Sequence, residues 1–444
     1  MVAPIVATPS TARPGARVDL SYSLIALAST AIWGVLGGWL LYFYLPPEGE
    51  GPALVPAALY GGAMLLLRVA AAAVTPSIGY LSDRTRSRWG RRLPYMFLSA
   101  IPLLVAFVLV WNPPVQGTST WNLVYLLVVM GVYQVAYVFN QVPHMALLPE
   151  IALTDHHRVR VSMWAAIMTV LGMIAASVAG PLIERLGFFP TSLVYAVVLL
   201  PAFYLPFLVL RERPVGALQV RHPGFWRNLA TMIDNHAFVV MTATGACYWG
   251  IMALVQAVMP YIVTEICLLS ESDTPLFYIP AVLASLVCYP LITALTRRWG
   301  KWRVFSASLL TSALVLPGLM LIGDWLPIPL KAQGIAWVTL QAVALSGVIV
   351  LPRAFGAEIV DLDEKLTGLR REGTYYATWG VLDQVVNGVI AAALPLLLLL
   401  GRSQLDAHGP LGVRLVGLLG GGLLFIGFLI FARYPLRQSQ PVGN

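Results

Sequence analysis

Long apolar segments follow one another from Ser21 through most of the chain, and no other feature constrains the fold as strongly. A helix needs about 20 apolar residues to cross a bilayer, and about twelve such segments fit between proline, glycine and charged residues. The chain of 444 residues is 58% hydrophobic and only 11% charged, which is too apolar for a soluble protein. We therefore predict an all-α membrane protein with twelve transmembrane helices.

A charged, proline-containing segment interrupts this pattern near the middle of the chain, where Arg211 and Arg221 each begin a polar run. Six apolar segments precede it and six follow it, which predicts two pseudo-symmetric six-helix halves. The predicted divisions are a disordered cytoplasmic tail at 1–17, an N-terminal six-helix bundle at 18–210, a cytoplasmic linker at 211–230, a C-terminal six-helix bundle at 231–434 and a cytoplasmic tail at 435–444.

The net charge of +8 is a topology signal, since about 22 of the 28 Lys and Arg fall in the termini and even-numbered loops. This predicts a multi-pass protein of the cell (inner) membrane with both termini cytoplasmic and no nucleic-acid partner. Residues 1–17 lack the features of a cleaved signal peptide. Cys247, Cys267 and Cys288 lie in apolar segments without metal or disulfide spacing, so we interpret them as core residues and expect no metal or cofactor.

The loop between the second and third helices is strongly basic, and its one acid, Asp83, lies where a helix end can meet guanidinium groups. Its pattern of glycine, acid and arginines resembles the signature at this place in major facilitator superfamily transporters. The longer motif DRTRSRWGRR resembles the sequence at this place in the glycoside-pentoside-hexuronide:cation symporter family, which includes the melibiose carriers. The resemblance implies that Asp83, with Arg91 and Arg92, latches the two halves; the alternative is a loop that only sets topology. The gating residues predicted here are Gly79, Asp83, Arg84, Gly90, Arg91 and Arg92.

The tenth predicted helix spans about 334–358, and a second charged stretch follows it. This stretch resembles the loop at the same place in that family. Acids at the end of that helix and arginines before the next are suited to ion pairs that form and break. An ordinary solvated loop is the alternative. The gating residues predicted here are Glu358, Asp361, Arg370, Arg371 and Glu372, together with Glu150, which resembles the family's Pro-Glu turn after the fourth helix. The segment Thr296–Arg303 is a degenerate copy of the first arginine loop that lacks its acid.

Charged side chains at membrane depth are costly and therefore indicate function. Arg68 in the second helix and Asp383 in the eleventh are both predicted near the middle of the membrane. Asp383 could pair with Arg68 or with Arg353, either as a permanent neutralising pair or as the group that couples transport to an ion.

Tyr133, Tyr137, Gln141 and His144 follow one another at helical spacing in the fourth helix, with Asn140 beside them. The stripe could join helices by hydrogen bonds or form the wall of a cavity in which aromatic rings stack on a sugar. Matching polar or aromatic groups in other helices favour the cavity: Thr30, Trp33, Trp164, Gln384 and Asn387.

Within the membrane, this chain lacks the charged residues that members of the family use to bind sodium and sugar. By resemblance, the acids of sodium-coupled members fall on Ala71 and Thr75, and the acids that hold galactosides fall on Thr30 and Gln141. The family's cationic sugar-binding residues fall on Ala166 and Gln384. These differences predict a neutral cavity and no sodium coupling, with Thr75 at the former cation position.

We therefore expect a secondary active transporter of a neutral solute, a sugar or glycoside by resemblance, that works by alternating access. It would act as a monomer in the lipid bilayer, with protons as the remaining candidate coupling ion. The alternatives are a carrier of an amphipathic or lipid-like substrate and a non-transporting membrane scaffold with a transporter fold. We do not expect an enzyme, since the sequence has no nucleophile motif, metal cluster or phosphate-binding loop.

Overall fold

The computed structural model describes residues 16–47, 49–85, 87–152, 154–210, 232, 235–367, 372–400 and 411–435. Over these residues the chain forms helices and no strand. The predicted linker at 211–230, most of both tails, and Arg370 and Arg371 lie outside the described residues, so the predicted domain boundaries stay predictions.

Eight α-helices make up the first half of the chain. They are α1 (Ala16–Tyr44), α2 (Ala57–Arg84), α3 (Leu93–Leu109), α4 (Thr120–Ile151), α5 (Asp155–Ser177), α6 (Ala179–Leu186), α7 (Phe188–Tyr204) and α8 (Pro206–Val209).

The second half continues with α9 (His236–Tyr261), which a π-helix (Ile262–Ile266) extends. A 3₁₀-helix (Glu271–Asp273) leads into α10 (Thr274–Trp299), and a second (Leu316–Leu321) ends α11 (Lys301–Val315). The remaining helices are α12 (Leu330–Val350), α13 (Pro352–Thr367), α14 (Glu372–Leu398) and α15 (Leu411–Phe431).

Eleven helical segments of the described chain are long and apolar enough to cross a membrane, and α3 is a shorter apolar helix of 17 residues. Three pairs of consecutive helices each form one membrane-spanning segment: α5 with α6, α7 with α8, and α12 with most of α13. Pro206 and Pro352 begin the second member of two of these pairs, because proline cannot continue the hydrogen-bond ladder of a preceding helix. The total agrees with the twelve helices predicted from the sequence.

Two helix boundaries differ from the sequence prediction. Helix α1 begins at Ala16, not near Ser21, and so takes Asp19 into its first turn, where an acid is stabilised by the helix dipole. Helix α13 extends to Thr367 through the stretch expected to be a loop after Glu358. That stretch contains no proline or glycine from Ala357 to Thr367, so nothing in it ends the helix.

Glycines allow the helices to approach closely at two contacts. Between α1 and α5, a Cβ added at Gly34 would lie 2.5 Å from the Cβ of Ala176. Between α2 and α14, a Cβ added at Gly61 would lie 2.3 Å from the carbonyl oxygen of Ala392. Small residues give such backbone contacts in membranes, where apolar burial does not drive association. The second contact joins the two halves along α2 and α14.

Candidate functional site

A cavity of ≈ 110 Å³ lies between the two halves, lined by α1, α2, α4, α9 and α14. Apolar residues such as Leu40 and Met64 form much of its wall. Five of the residues predicted from the sequence line it: Trp33, Arg68, Tyr133, Tyr137 and Asn387. The five come from α1, α2, α4 and α14, so the structure brings together side chains that are far apart in the chain.

Three further polar residues line the cavity and were not predicted: Tyr60, Gln134 and Gln256. Gln256 of α9 donates to the carbonyl oxygen of Gly34 in α1 at 3.4 Å, across the two halves. Gly37 makes room for it, because an added Cβ there would lie 2.9 Å from the Gln256 amide. An amide within an apolar run is the signal that could have identified Gln134 and Gln256.

Arg68 is the charged residue among the described residues that line the cavity. Its side chain packs beside Gly388 of α14, where an added Cβ would lie 2.9 Å from the Cβ of Arg68. Asp383 of α14 lies within electrostatic range of Arg68, although no ion pair within 4.0 Å joins them. The amide of Asn387 instead donates to a carboxylate oxygen of Asp383 at 3.0 Å. The side chain of Arg353, the other proposed partner of Asp383, lies outside the described part.

The hydroxyl of Tyr133 is buried beside the cavity, and the side chain is 4% exposed. It has no hydrogen-bond partner among the residues that the structure describes. The Tyr133 and Tyr137 rings stack with their centroids 5.9 Å apart. Buried polar groups of proteins are normally hydrogen-bonded, so the free Tyr133 hydroxyl marks a place where a bound solute could supply an acceptor or donor.

The other end of the α4 stripe joins helices. The Asn140 amide donates to the carbonyl oxygen of Met96 in α3 at 3.3 Å. Gln141 donates to the hydroxyl of Ser29 in α1, and the His144 ring stacks on Tyr22 with centroids 4.2 Å apart. Both interpretations of the stripe therefore have support, the cavity wall at Tyr133 and Tyr137 and the helix contact at Asn140 and Gln141.

Four other predicted positions lie away from the cavity wall. Thr30 packs at the α1–α5 contact, where a Cβ added at Gly172 would lie 2.9 Å from its Cβ. Trp164 of α5 and Gln384 of α14 are half-buried, and the Gln384 amide oxygen has no partner within the described chain. The Thr75 hydroxyl donates to the carbonyl oxygen of Ala71 at 2.7 Å, within its own helix.

The predicted gating residues are only partly within the described structure. Gly90 has a φ of +106°, a backbone conformation that favours glycine in the turn before α3. Arg92 is buried and donates to the carbonyl oxygen of Ala146 in α4. Arg91 is half-buried, and Asp361 is exposed. Gly79, Asp83 and Arg84 lie in the last two turns of α2 and Glu150 at the end of α4, but the side chains of Asp83, Arg84, Glu150 and Glu372 lie outside the described part.

The second half has an ion pair at the position equivalent to the first arginine loop. Lys301, in the degenerate copy of that loop, pairs with Glu358 of α13. This ion pair joins the start of α11 to α13. In the same way, the hydrogen bond of Arg92 joins the start of α3 to α4. The internal repeat therefore includes side-chain contacts as well as helix order.

A buried charged cluster at the start of α1 was not predicted. The Asp19 carboxylate is 0% exposed. One of its oxygens lies 2.7 Å from the His157 ring nitrogen, and the other accepts from Arg160 at 2.5 Å. The cluster fixes α1 on α5. Its only signal in the sequence is a lone acid before the first apolar segment.

Contacts between the halves close the cavity at the end of the bundle where α1 ends, here called the Tyr44 end. The Tyr261 hydroxyl of α9 donates to the carbonyl oxygen of Leu45 at 2.8 Å. The Ser272 amide donates to the Glu184 carboxylate of α6 at 2.8 Å. The rings of Tyr42 and Tyr261 meet edge to face with centroids 5.1 Å apart. These contacts cover the cavity from that side.

A family model described as "MFS/sugar transport protein" matches residues 21–438. The chain is 24% identical to the "Glucuronide carrier protein homolog" of Escherichia coli (strain K12), over 96% of this chain and 93% of the relative. It is 25% identical to the "Isoprimeverose transporter" of Lactiplantibacillus pentosus, over 84% of this chain and 79% of the relative.

The fold is similar to that of the nucleoside transporter NupG. For a crystal structure of a NupG mutant, the TM-score is 0.62, with 13% identity over 94% of this chain and 99% of that chain. This likeness confirms the predicted fold class, an all-α membrane protein with the major facilitator fold. The family model extends over nearly the whole chain, loops and cavity helices included. The chain belongs to the MFS/sugar transport proteins of the major facilitator superfamily, within the glycoside-pentoside-hexuronide:cation symporter family.

Proposed function

We propose that this protein is a secondary active transporter of a sugar or glycoside, which binds in the cavity between the two halves. The observation on which this depends is the cavity wall itself, where tyrosine and tryptophan rings stand beside amides and one arginine. Aromatic rings stack on the apolar faces of sugars, and amides bond with hydroxyl groups. The names of the two relatives, a glucuronide carrier homologue and an isoprimeverose transporter, support this substrate class.

The transport cycle would be alternating access between the halves, with the protein acting as a monomer. The concentration of basic residues in even-numbered loops supports cytoplasmic termini, which would place the Tyr44 end outside the cell. The contacts of Tyr261 and Ser272 would then close the external side, as in an inward-facing state. Breaking these contacts and closing the opposite end would expose the same cavity to the outside.

The gating residues would act at the opposite end. Asp83, Arg91 and Arg92 would form the latch of the first half, while Lys301 and Glu358 would form its counterpart in the second. Asp361, Arg370, Arg371 and Glu372 would meet the opposite half as the cycle proceeds.

A ligand screen by thermal stabilisation tests the proposed function, because a compound that binds the native state raises its apparent stability. We expect glycosides to raise the melting temperature of the purified protein and to be taken up by vesicles that contain it. Lysolipids are the comparison set. Stabilisation by lysolipids alone would favour an amphipathic substrate, and a protein that neither binds nor transports any of these compounds would be a scaffold.

Sodium should not change the affinity for the solute. The two positions where sodium-coupled relatives are expected to have acids are Ala71 and Thr75, and the Thr75 hydroxyl already bonds within α2. A hard cation prefers charged oxygen ligands, which this part of α2 does not supply. Titration of the solute in sodium chloride and in choline chloride at equal ionic strength checks this, and a rise in affinity of tenfold or more with sodium, about 1.4 kcal/mol, would contradict it.

A further inference from the structure

We propose that Gln256 of α9 links occupation of the cavity to opening at the Tyr44 end. Its amide holds α1 and α9 together while that end is closed, and a bound solute draws the amide into the cavity. The proposal rests on the proposed function, because it assumes that the solute binds in this cavity.

Gln256 lies on the boundary between the two halves, with its side chain against α1. The amide nitrogen donates to the carbonyl oxygen of Gly34 at 3.4 Å. A Cβ added at Gly37 would lie 2.9 Å from that nitrogen and 3.1 Å from the amide oxygen. Because Gly37 has no side chain, the amide can reach the backbone of α1. A larger residue at Gly37 would displace the end of the flexible Gln256 side chain and not a helix.

Two layers of contacts between α1 and α9 close the Tyr44 end. In the outer layer, the Tyr261 hydroxyl donates to the Leu45 carbonyl oxygen, and the Tyr261 ring meets that of Tyr42. In the inner layer, Gln256 lies five residues before Tyr261, or about 7 Å along the helix. Gly37 and Gln256 line the cavity, whereas Tyr42 and Tyr261 are not among its described lining residues. The inner layer is therefore the part of the closure that a solute can contact.

The inner contact is suited to exchange with a solute. Its length of 3.4 Å exceeds the about 2.9–3.0 Å of a typical N–H···O bond, so little stability is lost when it breaks. It is the one hydrogen bond that the Gln256 side chain makes with described residues. The side chain is half-buried and faces the cavity. An amide both donates and accepts, so a solute hydroxyl can bond with either end of it.

A solute that bonds with this amide favours opening of the Tyr44 end. In the closed state the solute competes with the Gly34 carbonyl for the amide, whereas in the open state α1 has moved away. A ligand shifts a conformational equilibrium by the difference between its affinities for the two states. Binding therefore weakens the closure and lowers the cost of changing to the other state.

Two glycine variants test whether Gln256 holds the closure. Gly37→Ala places a Cβ where the amide lies, while Gly38→Ala is the matched control, since its Cβ would lie 3.8 Å from the Gln256 backbone oxygen, an ordinary contact. Nitroxide labels on Arg185→Cys in α6 and Asp324→Cys before α12, both exposed positions, report the distance between the halves in a chain whose three native cysteines are replaced by alanine. Without solute, Gly37→Ala should raise the ratio of open to closed molecules about two- to tenfold, the range for one neutral hydrogen bond. Gly38→Ala should keep the wild-type ratio.

Gln256→Leu tests the link to the solute, because leucine has a similar size but no amide. Without solute it should raise the ratio as Gly37→Ala does, whereas the control Gln134→Leu, which removes a cavity amide from α4, should not. The solutes are nitrophenyl β-glucoside, β-galactoside and β-xyloside at saturating concentration. In the wild type a bound glycoside should raise the ratio about two- to tenfold, and Gln256→Leu should lack this response.

The proposal is overturned when neither Gly37→Ala nor Gln256→Leu changes the ratio, or when Gln256→Leu responds to a bound glycoside as the wild type does. Should one of the two variants fail to fold, the other decides. Thermal stabilisation of the wild type by the same glycosides is measured in parallel. A protein that binds them without the Gln256 response contradicts this inference alone, and a protein to which none binds contradicts the proposed function as well.

Discussion

Asp383→Asn will abolish accumulation of solute against its concentration gradient while exchange of solute across the membrane persists. Asp383 is the acid that lies near the cavity among the described residues, within electrostatic range of Arg68. A pH difference of one unit supplies about 1.4 kcal/mol per proton, which can hold a tenfold solute gradient. Asparagine keeps the shape and can still bond with Asn387, but it cannot bind and release a proton. Uphill uptake in vesicles with an imposed pH gradient measures the loss.

Asp324→Asn is the control for that measurement, because Asp324 is exposed in the turn before α12 and does not line the cavity. It should accumulate solute as the wild type does. Should Asp383→Asn still accumulate solute with unchanged pH dependence, Asp383 would have a structural role. The transporter would then be driven by another ion or by no ion at all.

Asp19→Ala will destabilise the protein by several kcal/mol. The carboxylate is fully buried and bonds with both His157 and Arg160. Removing one partner of a buried ion pair leaves an uncompensated charge and costs about 3–5 kcal/mol, with the lower value expected here because Arg160 is 37% exposed. The apparent melting temperature in detergent, measured without solute, should fall by several degrees.

The comparison for this variant is Asp324→Ala, which also removes one acid but from an exposed position. Its melting temperature should stay close to that of the wild type. An unchanged melting temperature for Asp19→Ala would mean that the cluster at the start of α1 contributes nothing to stability, contrary to the buried geometry.

The fold could be predicted from the sequence because the bilayer permits few solutions. Each crossing requires a long apolar segment, so the number of helices could be predicted from the pattern. The same cost of burying charge identified Arg68 and Asp383 as interior residues before their neighbours were known. Trp33, Tyr133, Tyr137 and Asn387 could be found by their polar or aromatic character within apolar runs.

The sequence could not predict which helix each side chain of α4 faces. Helical spacing places Tyr133, Tyr137 and Gln141 on one face of α4, but α4 has different neighbours along its length. Near Tyr133 that face meets the cavity, whereas near Gln141 it meets Ser29 of α1. A single sequence contains the angular position of a side chain but not the crossing of the helices. For the same reason Thr30 was assigned to the cavity, although it packs against Gly172.

The close contact between α2 and α14 limits access to the cavity from the bilayer. A methylene chain needs about 3.5–4.0 Å from the carbon atoms on either side of it. At Gly61 the helix backbones are already so close that a single added Cβ would lie 2.3 Å from Ala392, and Arg68 fills the space beside Gly388. The seam is therefore sealed against lateral entry from the bilayer over this depth. A lipid tail could not pass between these two helices to reach the cavity at this depth.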